Sequence, residues 1–201
     1  VGRSVGIILI AVLALGLGGC AMATAVPGTL VEAATMLFKG EETGIPLPLR
    51  PTLAAVQQGL GRLDYHADIL ELTEDGYTIE FGEDKLAGKV SLSRKTDRLT
   101  TIFVQARERI VRNASIEKAV LDAIRDAATH MSAQADFDDT GYLRLYKKPE
   151  AGAAPVGLYR MGAKVSYRRV AARPGWLQVS MPSGDKAYMQ LPADRRISYA
   201  Y

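Results

Sequence analysis

The chain is poor in the side chains that most chemistry needs. Its 201 residues include one cysteine, two histidines and one tryptophan. The cysteine is Cys20, so nothing after it forms a disulfide or supplies a thiol, and the chain beyond it must stabilise itself by packing. His66 and His130 lie far apart in sequence, and neither stands at metal-ligand spacing. Both read as structural or exposed residues, His130 near a helix end where a cation is favourable. Asp136, Asp138 and Asp139 do not follow the spacing of a calcium loop, and no phosphate loop or dinucleotide fingerprint is present. Catalysis needs convergent acid, base and nucleophile groups. The sequence offers no such set, so the expectation is a non-enzyme without metal or cofactor.

What is present begins at the N-terminus. Arg3 is followed by an uncharged apolar stretch from Val5 to Leu17, then by the small residues Gly18 and Gly19. This is the anatomy of a secretory signal, and the run is shorter than the roughly 20 residues that span a hydrocarbon core. No second apolar segment of membrane-spanning length follows. Leu17-Gly18-Gly19-Cys20 resembles the lipobox of bacterial lipoproteins. The resemblance implies cleavage between Gly19 and Cys20, diacylglycerol on the Cys20 thiol and a further acyl chain on its amine. Several chains on one residue anchor stably where one does not. Ala21 after the cysteine favours the outer membrane by the same resemblance. The other reading of the segment is an N-terminal anchor that is never cleaved.

The formal net charge of +3 hides an asymmetry. Residues 24–141 carry 13 Lys and Arg against 19 Asp and Glu; residues 142–201 carry 11 against 3. The break falls at the acidic stretch 135–141, which contains turn formers. The expected organisation is a signal peptide over 1–19, a tether over 20–30, an α+β domain over 31–134, a linker over 135–141 and an all-β domain over 142–201.

In the acidic part, Thr35–Lys39 reads as a strand and Gly44–Pro48 as extended chain, because proline restricts its neighbour. Thr52 is a plausible N-cap for a helix with Leu53, Val56, Leu60 and Leu63 on one face. Strands are expected at Ala67–Thr73, around Tyr77-Ile79-Phe81, around Val90 and Leu92, and at Leu99–Arg107, with a hairpin turn at Asp75-Gly76. A last helix is expected from about Asn113 to Met131, capped by Asn113 or Ser115. The expected packing is a small antiparallel sheet with two helices on one face. Phe38-Lys39-Gly40-Glu41, the Leu53–Leu63 helix, Leu99–Val104 and Ala119–Ile124 resemble a group of small bacterial lipoprotein domains of unknown function, which carries no activity to transfer.

The basic part reads as short strands at Tyr142–Tyr146, Val156–Tyr159, Lys164–Val170, Trp176–Met181, Lys186–Gln190 and Arg196–Tyr199. Leu143-Arg144-Leu145, Val156-Gly157 followed by Gly162 and Val165, Gly175-Trp176-Leu177-Gln178-Val179 and Pro182-Ser183-Gly184 resemble bacterial SH3-like domains in order and spacing. Tyr146-Lys147-Lys148 and Ala187-Tyr188 depart from the usual pattern. The resemblance implies a small closed barrel that binds a cell-wall peptide or an envelope protein. Such domains often accompany papain-like wall peptidases, but this chain has no cysteine for that chemistry after Cys20. The candidate binding residues are Tyr146, Tyr188, Arg144, Lys147, Lys148, Arg168 and Arg169, with Trp176 expected in the core. The alternative for Lys147, Lys148, Arg160, Arg168, Arg169 and Arg173 is a solvated basic face.

These readings converge on a periplasm-facing, lipid-anchored envelope lipoprotein with a binding role, its partners a membrane through the N-terminal lipid and a peptidoglycan peptide or envelope protein. The alternative is an assembly subunit whose basic part docks on an acidic protein surface. Nucleic acid is not an expected partner of an exported, anchored chain despite the sequence pI of about 9.0. Oligomeric state is not legible.

Overall fold

A computed structural model describes residues 40–191. Cys20, Gly19, the strand expected at Thr35–Lys39 and the one expected at Arg196–Tyr199 lie outside the described residues. The elements are β1 (Glu41–Ile45), α1 (Leu49–Gly61), β2 (Ile69–Leu72), β3 (Gly76–Glu83), β4 (Leu86–Thr96), β5 (Leu99–Glu108), β6 (Val111–Arg112), α2 (Ala114–Thr129), β7 (Tyr142–Tyr146), β8 (Pro155–Arg160), β9 (Tyr167–Arg169), β10 (Trp176–Ser180) and β11 (Lys186–Gln190). No helix among the described residues is long and apolar enough to cross a membrane.

All 11 strands among the described residues join one antiparallel sheet in the order β1-β5-β4-β3-β2-β8-β7-β11-β10-β9, with β6 also on β5. This corrects the expected fold class, a small sheet followed by a closed SH3-like barrel. Closure would require β9 to find a second neighbour. It has three residues and, among the described residues, pairs only with β10. The outer edge of β8 is taken instead by β2, with Ile69 opposite Tyr159, Leu70 opposite Leu158 and Glu71 opposite Gly157. The strands of the basic part therefore extend the first sheet rather than close on themselves.

Strand alternation divides this sheet between two cores. Leu70, Ile79, Phe81, Val90, Leu92, Ile102 and Val104 face α1 and α2, where they meet Leu53, Val56, Leu60, Val120, Leu121 and Ile124. Ile69, one residue from Leu70, belongs to the second core with Leu145, Tyr159, Leu177, Val179, Met181, Ala187 and Met189. Adjacent residues of one strand thus serve both cores from opposite faces. Burial of each such side chain contributes about 1.5–3 kcal/mol before the entropy of ordering is subtracted.

Local chemistry explains the helices. α1 begins one turn before the expected cap. Pro48 is the N-cap residue and makes no side-chain cap bond. Thr52 sits inside the helix, and its hydroxyl donates back to the Pro48 carbonyl at 2.8 Å. Pro51 fits the first turn because an amide there has no intrahelical acceptor. α2 is capped by Asn113, whose Oδ1 accepts the Ile116 amide at 3.1 Å. Glu117, 1% exposed, accepts the Ala106 amide at 3.1 Å and Arg112 Nη2 at 2.6 Å, so its charge is buried with partners. This hydrogen bond raises the pKa of the Arg112 guanidinium further. Gly59 lets the helices approach: a Cβ there would lie 2.8 Å from the Ile124 amide nitrogen.

The seam between β2 and β8 is equally close. A Cβ at Gly157 would stand 2.2 Å from the Leu70 carbonyl oxygen. Beside it, Arg160 Nε and Nη2 donate to Asp68 Oδ1 at 3.0 and 2.7 Å, and the Arg160 amide donates to the Asp68 carbonyl at 2.9 Å. Asp68 is 7% exposed. The stretch 135–141 is strapped to α1: Arg50 pairs with Asp136 at 2.6 Å, and Gln57 exchanges two hydrogen bonds with the Asp138 backbone.

Gly157→Val is expected to destabilise the fold by about 2 kcal/mol or more, because rigid backbone leaves no room for the added atoms. Gly61→Ala, with nothing within 4 Å of the new Cβ, is expected to be neutral or to stabilise by up to about 1 kcal/mol. Urea unfolding followed by tryptophan fluorescence checks both. Equal midpoints for the two variants would contradict the close packing of the seam.

Candidate binding face

In the strands of the basic part, alternate residues are spent on the second core, which leaves the intervening ones to form an outer face. Leu143 and Leu145 on β7, Leu177 and Val179 on β10, and Ala187 and Met189 on β11 point inward. Arg144 and Tyr146, Trp176, Gln178 and Ser180, and Lys186 and Tyr188 therefore share the opposite side. Register then aligns them. Arg168 is opposite Gln178, Gln178 is opposite Tyr188, and Tyr188 is opposite Tyr146. The row crosses four strands, about 14 Å at three inter-strand spacings.

Four of the candidate residues come together here: Arg144, Arg168, Tyr146 and Tyr188. Arg169 does not join them. It pairs with Leu177, and alternation turns it to the other side of β9 from Arg168. Lys147 and Lys148 follow β7 in the β7–β8 connection, exposed, with the Lys147 amide bonded to the Ala154 carbonyl at 3.0 Å. Trp176 is buried as expected, 9% exposed, but on the outer side, its ring edge-on to Tyr146 at a centroid distance of 5.9 Å. Lys186, Gln178 and Ser180 also belong to this face, though they are not among the candidates named from sequence. The signal that finds them is their place between inward-facing Leu177, Val179 and Ala187.

At the Arg168 end the surface dips into a shallow depression of about 290 Å³, to which Arg168, Gln178, Ser180 and Lys186 all contribute. No ion pair among the described residues occupies Arg144, Arg168 or Lys186. Other charges of the basic part are spent inside the chain: Arg160 on Asp68, and Lys164 on Asp84 at 2.8 Å. That contact lowers the Asp84 pKa and raises that of Lys164, the hydrogen bond being the main cause in each. A larger groove, about 410 Å³, lies between the start of α1 and residues 133–136. The Arg50–Asp136 pair closes much of its charge on itself, so it offers a ligand less than the outer face does.

The β10–β11 turn holds this face in place. The buried Glu71 carboxylate accepts the Ser183 amide at 2.8 Å on one oxygen and the Ser183 hydroxyl at 2.6 Å on the other. Lys89 donates to the Pro182 carbonyl and lies beside Glu80, its cross-strand neighbour. Burial pushes the Glu80 pKa up, Lys89 opposes the shift and Asp68 adds to it. His66 and His130 are exposed, and His130 Nδ1 lies 2.8 Å from the Thr129 hydroxyl. Among the described residues no group of three His, Cys, Asp or Glu is placed to hold a metal ion.

Comparison with family models, with curated proteins and with solved structures finds no match to this chain.

The raised Glu80 pKa makes stability depend on pH. The unfolded chain loses this proton first, so the contribution of Glu80 to stability falls as pH rises from the unfolded pKa through the folded one. The melting temperature of Glu80→Gln relative to wild type should accordingly increase as pH rises from below the ordinary glutamate range toward neutrality. A difference that stays flat over that range would remove Glu80 from the account.

Proposed function

We propose that the chain is a lipid-anchored envelope lipoprotein, facing the periplasm and held at the outer membrane, whose outer sheet face binds an acidic, extended wall peptide without catalysing its turnover. The observation that carries the binding reading is the cross-strand row Arg168–Gln178–Tyr188–Tyr146 beside Lys186 and Arg144. Rigid strands hold aromatic and cationic groups together there. Cations meet the free carboxylates of peptidoglycan stem peptides, the tyrosines supply flat amphipathic surface, and the Gln178 amide offers both donor and acceptor. Cys20 is the proposed lipid site. The lipid raises the local concentration of the binder at the envelope, so a weak site suffices. An acidic envelope protein would meet the same face through the same charges, which is the reading of the chain as an assembly subunit.

Trp176 reports on the site, because it is the only tryptophan and touches Tyr146. Titrating the protein with soluble stem-peptide fragments at low salt should change its fluorescence, and isolated wall should retain the protein. Tyr188→Ala combined with Arg168→Gln should weaken retention about tenfold, a loss of roughly 1.4 kcal/mol. Added salt should weaken the wild type more than the variant. Retention that neither salt nor the double substitution changes would exclude this face as the wall-binding surface.

A further inference from the structure

At one end of the sheet the β5–β6 turn holds two large apolar side chains in water. Ile110 is 91% exposed and Val111 67%. The turn is built rather than loose. Arg109 takes a positive φ of 58°, its amide donates to the Lys85 carbonyl at 2.8 Å, and the Asn113 amide returns to the Ala106 carbonyl at 2.8 Å. Exposed Lys85, Arg107 and Arg109 lie at the same end of the sheet, Lys85 through its carbonyl bond to the Arg109 amide and Arg107 opposite Arg112. Of the nearby carboxylates Asp84 is held by Lys164 and Glu41 lies against Arg112, which leaves Glu83 and Glu108 beside Lys85, Arg107 and Arg109.

The chain enters the described fold at the same end. β1 starts with Glu41 opposite Val104, on the edge of β5 that β6 continues with Arg112 opposite Arg107. Glu41 Oε1 lies 3.8 Å from Arg112 Nη2. The chain from Cys20 therefore joins the described fold at the end of the sheet that carries Ile110 and Val111.

We propose that the Arg109–Val111 turn is a membrane contact: Ile110 and Val111 enter the interface of the anchoring bilayer while Lys85, Arg107 and Arg109 meet anionic headgroups. Apolar tips with long cationic neighbours suit this boundary, since Arg and Lys keep their stems in the apolar layer and their charges in water. The proposal rests on the lipid-anchor reading. It adds an orientation, with the β3–β4 and β5–β6 turns toward the membrane and the β4–β5 turn at Asp97 away from it.

The test uses the full chain isolated with its native lipid, carrying Ile110→Cys and reacted with an environment-sensitive fluorophore. Asp97→Cys is the control at the far end of β5. A lipidated Cys20 has no free thiol, so the introduced cysteine is the sole reactive one. In vesicles of phosphatidylethanolamine and phosphatidylglycerol, the label at 110 should shift to the blue and be quenched by nitroxide lipids. The label at 97 should be quenched only by aqueous iodide. Arg109→Cys, which keeps both apolar side chains, should behave as the 110 label does. Iodide quenching at 110 and 109 equal to that at 97, on singly labelled protein, overturns the membrane contact alone. A second fluorophore at Cys20 overturns the anchor and this proposal with it.

Discussion

The structure depends on the pairing of β2 with β8. Two segments about 90 residues apart meet edge to edge, and the part-buried Asp68–Arg160 pair closes one end of the contact. The approach tolerates no side chain at Gly157. Without this seam the sheet falls into two pieces, each with an open strand edge and each with part of its core uncovered. A bare edge invites pairing with another chain. With the seam, that edge is satisfied internally, and the described residues gain one sheet with two cores on opposite faces.

The same seam creates the candidate binding face. Because β2 contributes Ile69 to the second core, the strands of the basic part turn their leucines, valines and methionines to that side. Their alternate residues are left outward as a flat aromatic and cationic surface. Glu71 performs two tasks on this strand, pairing with Gly157 through its backbone and clamping Ser183 through its carboxylate. The charge asymmetry between the two parts is also used internally, in Asp68–Arg160 and Asp84–Lys164. On the outer face, Arg144, Arg168 and Lys186 keep charge that no ion pair among the described residues occupies.

Much of the local structure was legible because it is written in short-range periodicity. The Leu53–Leu60 face, the alternation of Ile102, Val104 and Ala106, and the Asn113 cap follow from spacing within one element. The seam was not legible, because nothing near Asp68 identifies Arg160 as its partner across 92 positions. The expected barrel failed for that reason. Five of its six expected strands have counterparts among the described residues, but the edge of β8 is paired with a strand from the other half. Grouping Arg168 with Arg169 failed on parity, since neighbours in a strand face opposite ways. The same rule, applied to Gln178 and Lys186, recovers the members of the row that a search for charge runs passes over.

Native-state hydrogen exchange of the backbone amides tests most directly whether one seam governs both halves. If the β2–β8 pairing unites them, the amides of Leu70, Tyr159, Val90 and Val179 exchange only through global unfolding and share one free energy, equal to that from denaturant. If the amides of β7–β11 instead exchange through a separate opening of lower free energy while β3–β5 stay protected, the halves are independent and the account is wrong at its centre.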